Sequence, residues 1–254
     1  MPVMDEFREE RAALKNADFK TKCQYFLDYY KWHAIGGIAV LTFVISMIYS
    51  IVTAKDDALF GYFFNSFADE EYTDAFITDF AETADIDLNK YQIRIDSSMQ
   101  YIPGELTIDK QSVTQRIMVS LAAAEVDIMV ADEETFDYFC TSETFQDLRN
   151  IYTAEELERF RDYIYYVDMD VVRKMNEKTD SETLGEYTAP VYDHFTPEEM
   201  VDPVPMGLCI QDSPKLKEAY LFASQYVPIG IVANTQRPET AKQFVEYLFE
   251  GLLE

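Results

Sequence analysis

One stretch constrains this chain more than any other. Ala34–Ala54 (AIGGIAVLTFVISMIYSIVTA) runs 21 residues without a charged side chain, between Lys31 and Lys55. At about 1.5 Å rise per residue, such a helix covers the ~30 Å hydrocarbon core of a bilayer. Trp32 and Tyr49 stand where amphipathic rings mark the two membrane interfaces. A buried core helix of this length would be expected to carry a charge. A cleaved signal peptide is the closer rival, because Val52 and Ala54 satisfy a small-residue cleavage rule. Its apolar region usually runs only about 7–15 residues, however, and 33 residues precede the run here. The sequence predicts an uncleaved signal anchor over 34–54, with no lipid-attachment Cys after it.

Lys and Arg counting orients this span. Arg8, Arg11, Lys15, Lys20, Lys22 and Lys31 precede it, whereas Lys55 stands alone on the far side until Lys90. The positive-inside rule then places 1–33 in the cytoplasm and 55–254 outside the cell membrane, single-pass. Phe19, Cys23, Phe26 and Tyr30 fall on one helical face, so 1–33 reads as an amphipathic segment. It lies on the inner leaflet or touches another membrane protein.

Charge is divided unequally. Residues 1–33 hold six acidic and six basic side chains, which leaves 41 acidic and 15 basic for the rest and the whole net charge of −26. Such an outer domain repels phosphate polymers, so nucleic acid is excluded as a main partner. Eight glycines fall in no phosphate-loop spacing, and two His with three Cys are too few for a zinc or iron–sulfur framework. No cofactor and no metal is expected.

Residues 55–254 alternate strand-like and helix-like runs. Leu59–Phe64, Tyr91–Asp96, Val126–Ala131, Tyr163–Val167, Met206–Ile210 and Tyr226–Ala233 read as strands. Helices are expected after capping patterns at Ser66–Asp69, Ser112–Gln115 and Thr153–Glu156, over Asp132–Phe139, from Ser213-Pro214, and over Pro238–Phe249. Pro103-Gly104 marks a turn, and 169–203 is too polar and proline-spotted to assign. The β-α-β order predicts an α/β layer fold with a largely parallel sheet.

Two runs carry a resemblance. In 115–153 (QRIMVSLAAAEVDIMVADEETFDYFCTSETFQDLRNIYT), an Ala-rich helix holds Leu121-Ala122-Ala123-Ala124. Asp127-Ile128, Ala131-Asp132 and Asp147-Leu148 follow it. The closing run 227–249 (VPIGIVANTQRPETAKQFVEYLF) holds Ala241-Lys242, Phe244 and Tyr247-Leu248. Both are similar to extracellular solute-binding proteins of bacterial ABC transporters, the type 2 periplasmic-binding fold. The resemblance spans roughly 58–160 and 204–251. Family members are longer, with two full lobes and a cleaved signal. Here it implies a periplasmic-binding-like domain whose second lobe, at most 163–225, is reduced.

In open α/β sheets, ligands bind beyond the carboxyl ends of strands. Candidate ligand residues are therefore Asn65, Ser66, Ser97, Gln100, Tyr101, Asp132, Glu133 and Thr135, with Asn234 and Thr235 after the last strand. Ser66, Asp132 and Thr235 are equally placed to cap helices. Tyr62, Tyr101 and Tyr192 can stack on a sugar or belong to the core. His194 has no Ser or Cys in a nucleophile setting, and GxSxG, HExxH and CxxC are absent, so no catalytic residue is assigned and no enzyme is expected. Asp85, Asp87 and Asn89 touch calcium-loop spacing without its Gly and Glu. Cys140 and Cys209 read as unlinked small hydrophobes or as a pair.

Two roles follow. One is a membrane-tethered module outside the cell that binds a solute such as a sugar or peptide, or an envelope component, linked to a transporter or sensor. The other is a non-catalytic structural or regulatory subunit of a membrane complex that has lost the pocket. A polar cleft between 65–101 and 163–225 would separate them.

Overall fold

The computed structural model of the chain describes residues 18–103, 108–179, 192–216 and 218–253. It divides into two compact units, Met1–Ala54 and Lys55–Glu254.

Among its described residues the first unit contains one helix, α1 (Phe19–Thr53), whose amino end is capped by the Asp18 carboxylate accepting from the Phe19 amide at 2.8 Å. Its Lys31–Thr53 portion, 23 residues with no part buried, is long and apolar enough to cross a membrane. A signal sequence meets the same criteria. The helix begins well before Lys31, as the reading of 1–33 expects. The Cys23, Phe26 and Tyr30 side chains of the proposed amphipathic face lie outside the described residues.

The second unit is a mixed α/β layer fold. A six-stranded sheet has the order β3-β1-β4-β8-β6-β5, from β1 (Asp56–Phe63), β3 (Tyr91–Asp96), β4 (Ile128–Val130), β5 (Ile164–Asp168), β6 (Pro203–Cys209) and β8 (Pro228–Ile231). A separate ribbon joins β2 (Ser66–Ala68) to β7 (Tyr220–Phe222). The helices are α2 (Glu70–Thr83), α3 (Ile108–Ala122), α4 (Glu133–Thr141), α5 (Ala154–Arg159), α6 (Met169–Thr179) and α7 (Pro238–Leu248).

Strand alternation builds the layers, because successive side chains leave a sheet on opposite faces. Leu59 and Phe63 of β1 pack with Phe76 and Phe80 of α2 and with Phe244 and Leu248 of α7. Phe60 and Tyr62 pack on the other face, with Ile117 of α3 and with Phe136 and Phe139 of α4. β4 repeats the division, sending Ile128 and Val130 one way and Met129 the other. The sheet is thus covered on both sides.

Glycine allows two close approaches. A side chain at Gly230 would strike the Phe145 ring, and one at Gly207 would reach Phe136 Cζ at 2.7 Å. Those two rings stack on each other at 4.3 Å between centroids.

Several expectations change. The sheet is mixed rather than largely parallel: β1 runs parallel to β3 and β4, but the β4–β8, β8–β6 and β6–β5 pairs are antiparallel. The apolar run of β8 reflects its central, doubly covered position, and burial alone does not set strand direction. Residues 163–225 form no second lobe among the described residues, since β5 and β6 extend the same sheet. Ser66 belongs to a strand instead of a cap; Asp69 caps α2, accepting from the Glu71 amide at 3.0 Å. Ser112 lies inside α3, which starts at Ile108. Ser213-Pro214 opens turns, and the buried Ser213 hydroxyl donates to the Leu248 carbonyl at 2.6 Å. The α5 capping box at Thr153 and Glu156 forms as expected. Pro103 sits in a turn, while Gly104 lies outside the described residues.

Candidate functional site

Four of the eight candidate residues meet beyond the carboxyl ends of the parallel strands. Asn65 follows β1 in the left-handed region (φ 53°), which Asn tolerates better than most residues. Its amide Nδ2 donates to the Tyr101 carbonyl at 2.7 Å and to Asp132 Oδ2 at 2.5 Å, and its Oδ1 accepts from the Tyr101 amide at 2.7 Å. The Thr135 hydroxyl donates to Asp132 Oδ2 at 3.1 Å, while Asp132 Oδ1 accepts from the Thr135 amide at 3.0 Å. Asp132 therefore both caps α4 and closes this network.

The network is satisfied by the chain itself. Thr135 is fully buried, and Tyr101 is packed among Phe64, Tyr138 and Phe139. Burial, with Tyr138 close by, pushes the Tyr101 phenol up to about 12, so it stays protonated.

The other four candidates stand apart from it. The buried Ser66 hydroxyl turns back to the Phe63 carbonyl at 2.9 Å. Ser97 is half-buried and Gln100 exposed, and neither makes any of these bonds. Glu133 is half-buried on α4, where burial and then the like charges of Asp137, Asp132 and Asp193 raise its carboxyl above the usual range despite His194 nearby.

Asn234 and Thr235 lie at the opposite edge. β8 runs antiparallel to β4, so its carboxyl end falls beside the amino end of that strand. There Thr235 donates to the buried Asp127, and Asn234 donates to the Leu121 carbonyl at 2.7 Å. Tyr62 is a core residue with no exposed surface.

A second polar cluster follows on α4. The Asp137 carboxylate accepts from the Tyr165 hydroxyl at 3.0 Å and faces His194 Nε2 at 3.3 Å. His194 Nδ1 lies 2.8 Å from the Tyr166 carbonyl, and its ring stacks on Tyr165 with centroids 4.0 Å apart. Both imidazole nitrogens thus face acceptors only, an arrangement that the imidazolium satisfies. Burial pulls the His194 pKa down, but Asp137, the Tyr166 carbonyl and Glu133 together hold it above its ordinary value. Both nitrogens are thus engaged with groups of the chain itself.

Sequence reasoning singled out Glu133 and noted His194 without joining them. Asp137 and Tyr165 were missed, because only tertiary packing brings α4, β5 and the segment holding His194 together. Glu133 and Asp137 do stand four residues apart, one turn of a helix, and this spacing was legible.

Cys140 and Cys209 are free and buried, and burial pushes both thiols up, Cys140 well above its usual value. Among the described residues, no group of three or more His, Cys, Asp or Glu is placed to hold a metal. Asp87 instead binds its own turn, accepting from the Asn89 amide and side chain at 3.0 Å each. A cleft of about 750 Å³ opens between Glu156, Arg159, Glu246 and Phe249, and none of the eight candidates lines it.

Compared with protein-family models, with curated proteins and with solved structures, the chain matches none.

Proposed function

We propose that this chain is a membrane-tethered, non-catalytic interaction module. In this reading α1 crosses the membrane with its amino end in the cytoplasm, and Lys55–Glu254 is presented outside the cell. The scaffold is that of a periplasmic-binding-like lobe that has kept its layers and closed its pocket.

One observation carries the reading. At the strand ends, where an open α/β fold offers groups to a ligand, Asn65 gives both of its amide hydrogens and its carbonyl to Tyr101 and Asp132. A solute there would have to break these bonds, and each buried group left unmade costs about 1–3 kcal/mol. Among the described residues the continuous sheet supplies no facing lobe to close over a solute. The tether adds function by confinement, since it raises the effective concentration of the module for a membrane partner.

The test has two arms. Protease added to intact cells is expected to digest Lys55–Glu254 and to spare an epitope placed at Met1. Protection of the outer unit would refute the orientation. Thermal-shift screening of the full chain against sugars, amino acids and peptides is expected to find no stabilising solute. A solute at a hundred times its dissociation constant would add about 2.7 kcal/mol, a shift easily read.

A second reading, capture of a small solute, is favoured by the meeting of four residues from separate segments at one strand end. It requires a ligand able to replace Asp132 at the Asn65 amide. Stabilisation by a solute that is lost in Asn65→Ala would establish it over the first.

A further inference from the structure

The β2–β7 ribbon exposes an apolar pair. Phe67 and Leu221 are direct cross-strand partners, and both face solvent, at 65% and 61% exposure. The opposite face of the ribbon is anchored: Tyr220 is buried against Phe63 with ring centroids 4.7 Å apart, and Ser66 is buried beside it. The Asp69 amide donates to the Ala219 carbonyl at 2.9 Å and continues the pairing past the strand ends. The exposed pair is therefore held in place before anything binds.

Its surroundings are acidic. Asp69, Glu70, Glu71 and Asp74 follow Phe67 within seven residues, Glu218 precedes Leu221, and all five side chains are exposed. Some of this charge serves the amino end of α2, where acidic residues are favourable. That role does not require an exposed Phe and Leu beside it. Lys215, close to Glu218 in the chain, is already held by Asp79 and Glu250. An apolar centre flanked by exposed carboxylates has the anatomy of a docking surface for a partner of opposite charge.

We infer that the Phe67–Leu221 ribbon docks a basic, amphipathic polypeptide segment, with apolar side chains meeting the pair and Lys or Arg meeting the acidic rim. This rests on the interaction-module reading and names the chemistry of the partner. A second copy of the chain is disfavoured, because it would oppose one acidic rim to another. A lipid surface is disfavoured too. Anionic headgroups are repelled by the acidic rim.

The test uses the full chain in nanodiscs of zwitterionic lipid and three labelled peptides of equal length: alternating Leu and Lys, alternating Ser and Lys, and alternating Leu and Glu. Fluorescence anisotropy is expected to show binding of the Leu/Lys peptide, with the Ser/Lys peptide at least tenfold weaker and the Leu/Glu peptide unbound. A double variant, Phe67→Ser with Leu221→Ser, is expected to lose at least tenfold, whereas Val119→Ser with Val201→Ser, exposed apolar residues elsewhere, changes nothing. Glu70→Lys with Glu71→Lys is expected to weaken binding and flatten its salt dependence. Unchanged melting of the ribbon variant certifies its fold. Equal binding by the ribbon variant, or equal binding of the Leu/Lys and Ser/Lys peptides, overturns the inference. So does a wild-type dimer that the ribbon variant abolishes, or wild-type capture of lipid vesicles that it abolishes. A solute found by thermal shift, or a protected outer unit, overturns the interaction-module reading instead, and neither result depends on the ribbon variants.

Discussion

Replacing Arg237 with Met keeps much of the side chain's length, removes its charge, and is expected to destabilise the outer unit by about 3 kcal/mol. Asp127, just before β4, has no exposed surface. Its Oδ2 accepts from the Phe60 amide at 2.8 Å and from Arg237 Nε at 2.8 Å, while its Oδ1 accepts from the Thr235 hydroxyl. The Arg237 guanidinium also reaches the Glu125 carbonyl at 2.5 Å. One carboxylate thus ties β1, the start of β4 and the loop after β8. Removing one member of a buried ion pair costs about 3–5 kcal/mol, chiefly because the other charge is left uncompensated. Arg237 is 25% exposed, so water reaches the place it vacates, and two acceptor bonds of Asp127 survive. Both points favour the lower end of that range. Asp127→Ala strands the Phe60 amide and the guanidinium together and belongs at the upper end, about 5 kcal/mol. For a unit of this size, about 3 kcal/mol lowers the melting temperature by about 6–12 °C. Urea titration of the full chain in detergent micelles, followed by tyrosine emission and near-ultraviolet circular dichroism, measures both variants. A loss below about 1 kcal/mol in Arg237→Met would show that the pair behaves as an exposed one, and the reasoning would fail.

Other outcomes follow from local geometry. The His194 imidazolium is favoured in the fold, so its stabilisation is complete below the ordinary His value of about 6.5 and is lost as pH rises through the elevated folded value. Urea midpoints of the wild type are expected to fall between pH 6 and pH 9 more steeply than those of His194→Gln, and parallel slopes would remove the assignment. Glu133, also raised, acts in the carboxylate range at lower pH, so the two groups are separable. Gly230→Ala drives a methyl into the Phe145 ring and is expected to cost about 1–3 kcal/mol, with a thermal melt as the check.

What was legible in the sequence was local. The charge-free run of α1, the alternation of β1, the apolar triplet of β4, the Asp132 cap of α4, the Thr153 capping box and the Ala241–Phe244–Leu248 face of α7 are all written in spacings of a few residues. Where a polar stretch hid its periodicity, as in α6, the reading stopped. Where a local pattern met a distant partner, the partner won. Ser66 looks like a cap but pairs with Phe222 in the ribbon, and Ser112 looks like a helix start but sits within α3.

By itself the sequence determined a charge-free run of membrane-spanning length, an acidic α/β unit after it, and the strand ends beyond which its eight candidate residues fall. These follow from hydrophobic period, turn chemistry and the advance of the chain per residue, each set by neighbours. Only the tertiary structure decided that β8 enters the middle of the sheet antiparallel, that Thr235 leaves the strand-end site to hold Asp127, and that Asp137 meets His194. Strand direction and side-chain partnership depend on which distant segments exclude water from one another, and no local spacing records that choice.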